Sequence, residues 1–335
     1  MTTGAWAIPG GPGPARSGGI FFNQDVVVPQ FIQTMTHTFE WRNNKYASSP
    51  PISGWDGSGS LLIIPSITAW MGAFVNEGIT FVIEQIQVMG DRRIELKIPY
   101  DYVAESQTIT FQIFNLRPQR DSGYGMSFYN SSDVFNITDT GTIGQARWAW
   151  EGTINQALNI PSYPNSYVFG QCDNGSIGMS RSGNTIYLYR NVNDSAGGSN
   201  HDGANAYCRI VVFGTNPNGV PEHNGGFNIY SSDGQRCVFS TANSPFTVQG
   251  LIGSGGGNTG IPKPMGLLLP SYGAIYGSSG SDTAQHNRSL ITNGSTITTG
   301  FGSRMYRGNL PAPQNIYVNY TLPYLNAANY FASAQ

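Results

Sequence analysis

The sequence predicts an all-β protein, built as two β-sandwich or jelly-roll-like domains behind an extended N-terminal arm. Three observations carry this expectation. Apolar and polar residues alternate with period two over many short runs, the pattern of half-buried strands. Gly, Pro, Asn and Asp punctuate those runs about every eight to twelve residues, a spacing that suits sandwiches and barrels. No longer window shows the i, i+3, i+4, i+7 apolar spacing of an amphipathic helix.

Composition narrows the class further. Charged residues make up 11% of the chain, against about 25% in ordinary soluble domains. Glycine reaches 43 of 335 residues and aromatics 12%. Disorder goes with high charge and few aromatics, so this profile reads as turn-rich β structure, with part of the surface covered by other copies or partners. The net charge of -2 and pI of about 6.1 leave no basic footprint for nucleic acid. No apolar run approaches the ~18 residues of a membrane span, so membrane insertion is not expected. The N-terminus lacks a basic start followed by an apolar core, so synthesis in the cytoplasm without a secretory signal is expected.

In chain order, residues 1–18 form a Gly/Pro-rich arm. Pro9, Pro12 and Pro14 remove backbone donors and forbid a regular helix. Trp6 sits inside the arm as an anchor for the protein's own body or for a neighbour. A first domain is expected over 19–160. It opens on Ile20–Phe22 and Val26–Val28, two short runs around Asn23-Gln24-Asp25, in outline a hairpin. Met35–Trp41 alternates, with Thr36, Thr38 and Glu40 opposite His37, Phe39 and Trp41. Leu61–Ile64, Ile67–Trp70 and Ile79–Val88 follow as strands. Ile94–Ile98 and Thr108–Phe114 are expected as a further pair, and Trp148 and Trp150 share one strand face. Pro161, Pro164 and Asn165 mark the division from a second domain over 161–335. Its strands are Tyr167–Phe169, Thr185–Tyr189, Tyr207–Phe213, Ile291–Thr299 and Asn315–Leu322, with a long polar loop over Asn191–Asn205. Ala327–Ala334 is the best helical candidate.

The clearest local signal is Gly225–Gly250. Phe227 and Ile229 alternate with Asn228 and Tyr230, Asp233-Gly234 supplies the positive φ angles of a tight turn, and Arg236–Phe239 runs back. Phe246–Val248 then resumes the apolar pattern.

No catalytic set emerges. The four histidines, His37, His201, His223 and His286, show no HxH or HExxH spacing, so no metal site is expected. His201 and His223 lie on polar loops and are expected to be solvated. Cys172, Cys208 and Cys237 are odd in number and lack CxxC spacing, which argues for free buried thiols, with a Cys172–Cys208 bridge as the alternative. GSGGGNTG at Gly253–Gly260 lacks the Lys-Ser/Thr of a phosphate loop. Asp91, Glu95, Asp101 and Glu105 form a small acidic group that reads as solvated strand ends. No cofactor is implied. The aromatics beside Gly, Asn and Ser are the remaining signal. Trp6, Tyr187, Tyr189, Tyr272, Tyr276, Phe301 and Tyr306 are the candidate partner or receptor contacts, because exposed aromatic rings stack on sugars or anchor interfaces.

At Gly226–Ser240, GFNIYSSDGQRCVFS, the chain resembles a hairpin motif of minor tail and tail-tip proteins of tailed bacteriophages. Gly226, Asp233, Gly234, Val238, Phe239 and Ser240 carry the match. Gly19–Val28 matches more loosely and lacks the turn glycine. The motif ordinarily opens such proteins, whereas here it lies deep in the second half. The resemblance implies a virion protein of the tail tip or tail fibre, without enzymatic activity. It would pair with other copies of itself, a trimer being favoured, and with other virion proteins. Contact with a host surface glycan or outer-membrane protein would fall to residues 187–206 and 272–306. Two other classes share the profile: a capsid or capsid-decoration protein, and a carbohydrate-active enzyme or sugar-binding module.

Overall fold

The computed structural model describes residues 5–7, 20–22, 29–71, 80–99, 104–116, 125–129, 134–138, 142–163, 165–194, 197–214, 228–230, 237–240, 243–253, 255–279, 282–307 and 315–334. Over these residues the protein is nearly all β, and every strand ladder is antiparallel. Among the described residues the only helical pieces are two 3-10 turns, Ala327–Asn329 and Ala332–Ala334, within the stretch where a short helix was expected.

The first core lies between a four-stranded and a three-stranded sheet. The four-stranded sheet runs Thr142–Ile143, Gln30–Arg42, Ala104–Asn115, Leu61–Pro65. The three-stranded sheet runs Tyr46–Pro51, Arg93–Lys97, Gln85–Val88. The expected alternation holds: Phe39 and Trp41 are buried while Thr36, Thr38 and Glu40 are exposed. The outward threonines pair across strands, Thr36 with Thr110 and Thr38 with Thr108, at 2.9 and 2.8 Å. Inward, Phe39, Trp41, Trp70, Phe81 and Phe111 stack or meet edge to face. Two expectations change. Arg93–Lys97 pairs with Gln85–Val88 and Tyr46–Pro51, whereas Ala104–Asn115 pairs with Gln30–Arg42 and Leu61–Pro65. The run 79–88 is two strands, Thr80–Val82 and Gln85–Val88, because Ile83 N–H turns to the Thr68 carbonyl and Glu84 N–H to that of Lys97.

The second core is larger and lies between a six-stranded and an eight-stranded sheet. The six-stranded sheet is ordered Gln145–Asn155, Asn205–Gly214, Tyr167–Cys172, Pro264–Leu267, Thr321–Asn326, Gly250–Gly253. Residues 145–159, on the N-terminal side of the expected division, pair with Asn205–Gly214 and Thr185–Arg190. All six residues of Tyr167–Cys172 are buried, because both faces of this sheet are covered. On one face Tyr167, Phe169, Phe213, Phe246 and Tyr330 form an aromatic cluster under the C-terminal turns. On that side Arg209 reaches Gln171, Asp173 and Ser333, and Ser333 donates to Glu151, which fastens the C-terminus to the sheet. The other face meets the eight-stranded sheet, where Met179, Leu188 and Leu290 complete the core.

The eight-stranded sheet centres on a hairpin, Asp282–Asn293 against Thr296–Arg307. The expected single strand Ile291–Thr299 is thus two strand ends and a turn. Asn293 pairs with Thr296, and Gly294 takes φ +56 in the first loop position, where tight hairpin turns place glycine. The two cores meet along residues 315–320. Tyr320 packs on both, its hydroxyl accepting from Ile63 N–H at 2.9 Å, while Asn319 N–H donates to the Glu84 carbonyl at 2.6 Å.

Near the N-terminus, Ile20–Phe22 pairs with Ala5–Ala7 of the arm, Trp6 opposite Phe21; Val26–Val28, its expected partner, lies outside the described residues. The hairpin of the second half has both strands in place, Asn228–Tyr230 antiparallel to Cys237–Ser240. Its Asp233-Gly234 turn lies outside the described residues.

Candidate functional site

The two stretches expected to form a contact surface, 187–206 and 272–306, pack on each other. In the polar loop after Thr185–Arg190, two asparagine side chains serve the edge of Thr296–Arg307 as a neighbouring strand would. Asn191 Oδ1 accepts from Phe301 N–H at 2.9 Å, and Asn200 Nδ2 donates to the Gly302 carbonyl at 2.7 Å. Asn193 Nδ2 reaches the Ser278 carbonyl at 2.8 Å. Glycine leaves room where these amides approach: a Cβ at Gly300 would stand 2.2 Å from Asn191 Oδ1, and one at Gly277 2.1 Å from Asn193 Oδ1.

Asp194 is the hub, 7% exposed. Its Oδ1 accepts from His286 Nε2 at 2.6 Å and pairs with Arg304 Nη1 at 3.4 Å; its Oδ2 accepts from Asn200 N–H at 3.1 Å. His286 is fully buried, its ring meeting Phe301 edge-on at 5.1 Å. Burial pushes the His286 pKa below its ordinary value, against the opposing pull of Asp194. The ring is therefore neutral at pH 7, with its proton on Nε2 toward the carboxylate, and Nδ1 has no partner. An acid–histidine pair also makes up two of the three members of a catalytic triad. Here a fully buried ring presents no face to a substrate, so its work is to hold the loop.

Arginines from the flanking strands line the outer rim of the loop. Arg190 Nη2 donates to the Ser199 carbonyl at 3.1 Å and Arg304 Nη1 to that of Gly198 at 3.2 Å; Arg307 Nη1 lies 3.8 Å from where a Gly197 Cβ would be. Three exposed arginines thus converge on the turn 197–199. Sequence reading missed both this rim and the buried hub, since they are assembled from residues far apart in the chain.

The aromatic candidates divide. Tyr276 and Tyr306 are both in register with Gln285, so the two half-buried rings share a sheet face, and His286 takes the opposite one. Tyr187 is half-buried against His201, and Phe301 is half-buried against His286. Tyr272 and Tyr189 are corrected. Tyr272 is 1% exposed; its hydroxyl donates to the Leu267 carbonyl and accepts from Leu269 N–H at 3.1 Å, and burial raises its pKa. Tyr189 is buried because the loop carrying His201 folds over it, the two rings 5.6 Å apart. Both rings are buried where exposed contacts were expected. Trp6 lies in Ala5–Ala7, away in sequence from this site. His201, expected to be solvated, is partly buried with Nδ1 2.7 Å from the Leu188 carbonyl; His223 lies outside the described residues.

Elsewhere, Asp91 pairs with Arg93 at 3.0 Å on the surface, Glu95 accepts from Gln87, and Asp101 lies outside the described residues. A cavity of about 10 Å³ between the two large sheets is lined by Ile252, Tyr272, Leu290, Ile297 and Leu322, room for one water at most. Among the described residues no group of three or more His, Cys, Asp or Glu is placed to hold a metal, and no helix is long and apolar enough to cross a membrane.

A family model described as a family of unknown function (DUF6453) matches residues 8–310. No curated protein and no solved structure matches the chain.

Proposed function

For this chain, which belongs to the DUF6453 family, we propose a structural role in the tail of a bacteriophage, as a tail-tip or tail-fibre component. It works as a homo-oligomer, a trimer being favoured, and contributes a contact surface for the host. The observation that carries this reading is the seated loop. A chain with few charges spends Asn191, Asn193, Asp194 and Asn200 on fixing one loop to a sheet edge, and that loop holds three arginines at its rim. Rigid scaffolds that present a fixed loop are suited to recognition, because little ordering entropy remains to be lost on binding. The tail resemblance at Gly226–Ser240 supports the setting, and the antiparallel pairing of Asn228–Tyr230 with Cys237–Ser240 is compatible with it.

Two measurements test the reading. Light-scattering mass of the purified chain is expected to report an oligomer that survives dilution; a dilution-stable monomer refutes the assembly. Gold-labelled antibody against the chain is expected at the tail end of purified virions. Label over the head would replace the proposal with the capsid-decoration reading, and an unlabelled particle would refute both.

A further inference from the structure

Cys172 and Cys208 end up face to face. They lie on neighbouring antiparallel strands, Tyr167–Cys172 and Asn205–Gly214, and are direct cross-strand partners. Directly opposed residues alternate between hydrogen-bonded and non-hydrogen-bonded pairs, the latter with Cα atoms only about 4.5 Å apart. The next pair out is tied, Asp173 N–H donating to the Tyr207 carbonyl at 3.0 Å. Cys172 N–H turns away from Cys208 and donates to Thr292 Oγ1 at 2.8 Å, and that hydroxyl donates back to the Cys172 carbonyl at 2.8 Å. Cys172 and Cys208 therefore form the closer, non-hydrogen-bonded type of pair. Its spacing falls within the ~4.4–6.8 Å that a disulfide spans.

The side chains agree with the backbone. Both thiols are free and buried on the face toward the eight-stranded sheet, and they share a hydrogen bond. Each sulfur also lies near a carbonyl two residues away, Cys172 Sγ 3.7 Å from that of Asn174 and Cys208 Sγ 3.6 Å from that of Ala206. Buried cysteines that serve only as small apolar fillers have no need of a matched partner on the next strand.

We propose that Cys172 and Cys208 are a redox site, closed by a small oxidant such as a peroxide into one cross-strand disulfide. The bridge would close the chain segment that carries Ile177–Ser182, Thr185–Arg190 and the arginine-rimmed loop. Cys172 is the attacking group: the hydrogen bond from Cys208 draws its pKa down, while the same bond and burial drive that of Cys208 up. It is also the last residue of its strand, followed by exposed Asp173 and Asn174. The Cys172 thiolate attacks one peroxide oxygen, the O–O bond breaks, and the hydroxide released takes up the thiol proton as water. The Cys172 sulfenic acid is then attacked by the Cys208 sulfur. The S–S bond forms, the S–O bond breaks, and hydroxide leaves with the Cys208 proton as a second water. Two thiols are oxidised by two electrons and one peroxide is reduced to two waters.

The test uses the full chain with all three cysteines. It is exposed to hydrogen peroxide folded and, separately, during refolding from urea, so that burial of the thiols cannot by itself prevent reaction. After removal of peroxide, free thiols are alkylated in denaturant and peptides are mapped by mass. The expected product lacks two hydrogens, joins the Cys172 and Cys208 peptides, leaves Cys237 alkylated, and reverts with dithiothreitol. Cys237→Ser should form the same bridge, and Cys172→Ser and Cys208→Ser should not. Alkylation of all three cysteines in both arms, or a bridge that contains Cys237, overturns the proposal. The Cys237→Ser chain keeps the test decisive if either of the other variants fails to fold.

Discussion

Replacing Asp194 by Asn probes whether the loop is held as described. Three donors converge on this carboxylate: His286 Nε2 at 2.6 Å, Arg304 Nη1 at 3.4 Å and Asn200 N–H at 3.1 Å. An amide has one oxygen. If it serves His286, its NH2 group faces Asn200 N–H, and a buried donor goes unpaired at a cost of about 1–3 kcal/mol. The lost ion pair adds at most about 1 kcal/mol, since the Arg304 side chain is 31% exposed and can be rehydrated. The expected loss of stability is therefore about 1–4 kcal/mol, carrying no contribution from His286. Asp194→Ala should cost more, because His286 Nε2–H is then stranded as well. Moving the proton to Nδ1 offers no escape, because that nitrogen is buried without a partner too. Urea unfolding followed by tryptophan fluorescence measures both variants. An Asn variant within about 0.5 kcal/mol of the native chain, the usual range of an inconsequential surface change, would refute the hub.

Acid should loosen the same site. Burial holds His286 below its ordinary pKa, so between that ordinary value and the folded one the unfolded chain binds a proton that the folded chain does not. The stabilisation is then complete above pH ~6.5 and is lost as pH falls toward the folded pKa, by at most about 1.4 kcal/mol per unit. Urea melts of the native chain and of His286→Gln across this window should differ in slope, with the Gln variant flatter. Gly273→Ala should cost about 2–5 kcal/mol, since its φ is +132 and a Cβ would stand 2.1 Å from the Ile316 carbonyl oxygen. Gly183→Ala, at φ +57 with open space around it, should cost only about 1 kcal/mol in the same assay. Tyr272→Phe should lose about 1–3 kcal/mol by leaving Leu269 N–H and the Leu267 carbonyl without their hydroxyl. If Tyr272 instead served a partner, oligomer mass or host attachment would fall with stability unchanged.

The all-β class and several strands could be read directly, because period-two alternation is a local property. Met35–Trp41 needs only its own residues to show which side chains turn inward, and the structure keeps that order. Pairing could not be read the same way. Arg93–Lys97 has three antiparallel candidates with similar patterns, and its choice rests on which faces remain apolar once all are placed. Gly294-Ser295 is a two-residue hairpin signal inside the run 291–299, with apolar residues on either side that continue the alternation.

The polar loop failed for a deeper reason. Asn, Asp, Ser and Gly over 191–205 have the composition of a solvated connection, and their preference for turns is the same whether water or protein takes their hydrogen bonds. What decides is the other end of each bond: Phe301 N–H, the Gly302 and Ser278 carbonyls, and the His286 ring, all supplied by strands about a hundred residues later in the chain. A sheet edge with unpaired groups needs partners, and asparagine amides supply them without adding another strand. The same logic covers Tyr189 and Tyr272, expected at the surface and found buried. Tyr189 is buried by that loop, and Tyr272 hydrogen-bonds within its own turn at Leu267–Leu269. In a chain this poor in charge, polar residues that close edges inside the protein are unavailable for its surface, and the arginines left at the rim of the loop then set the chemistry of that face.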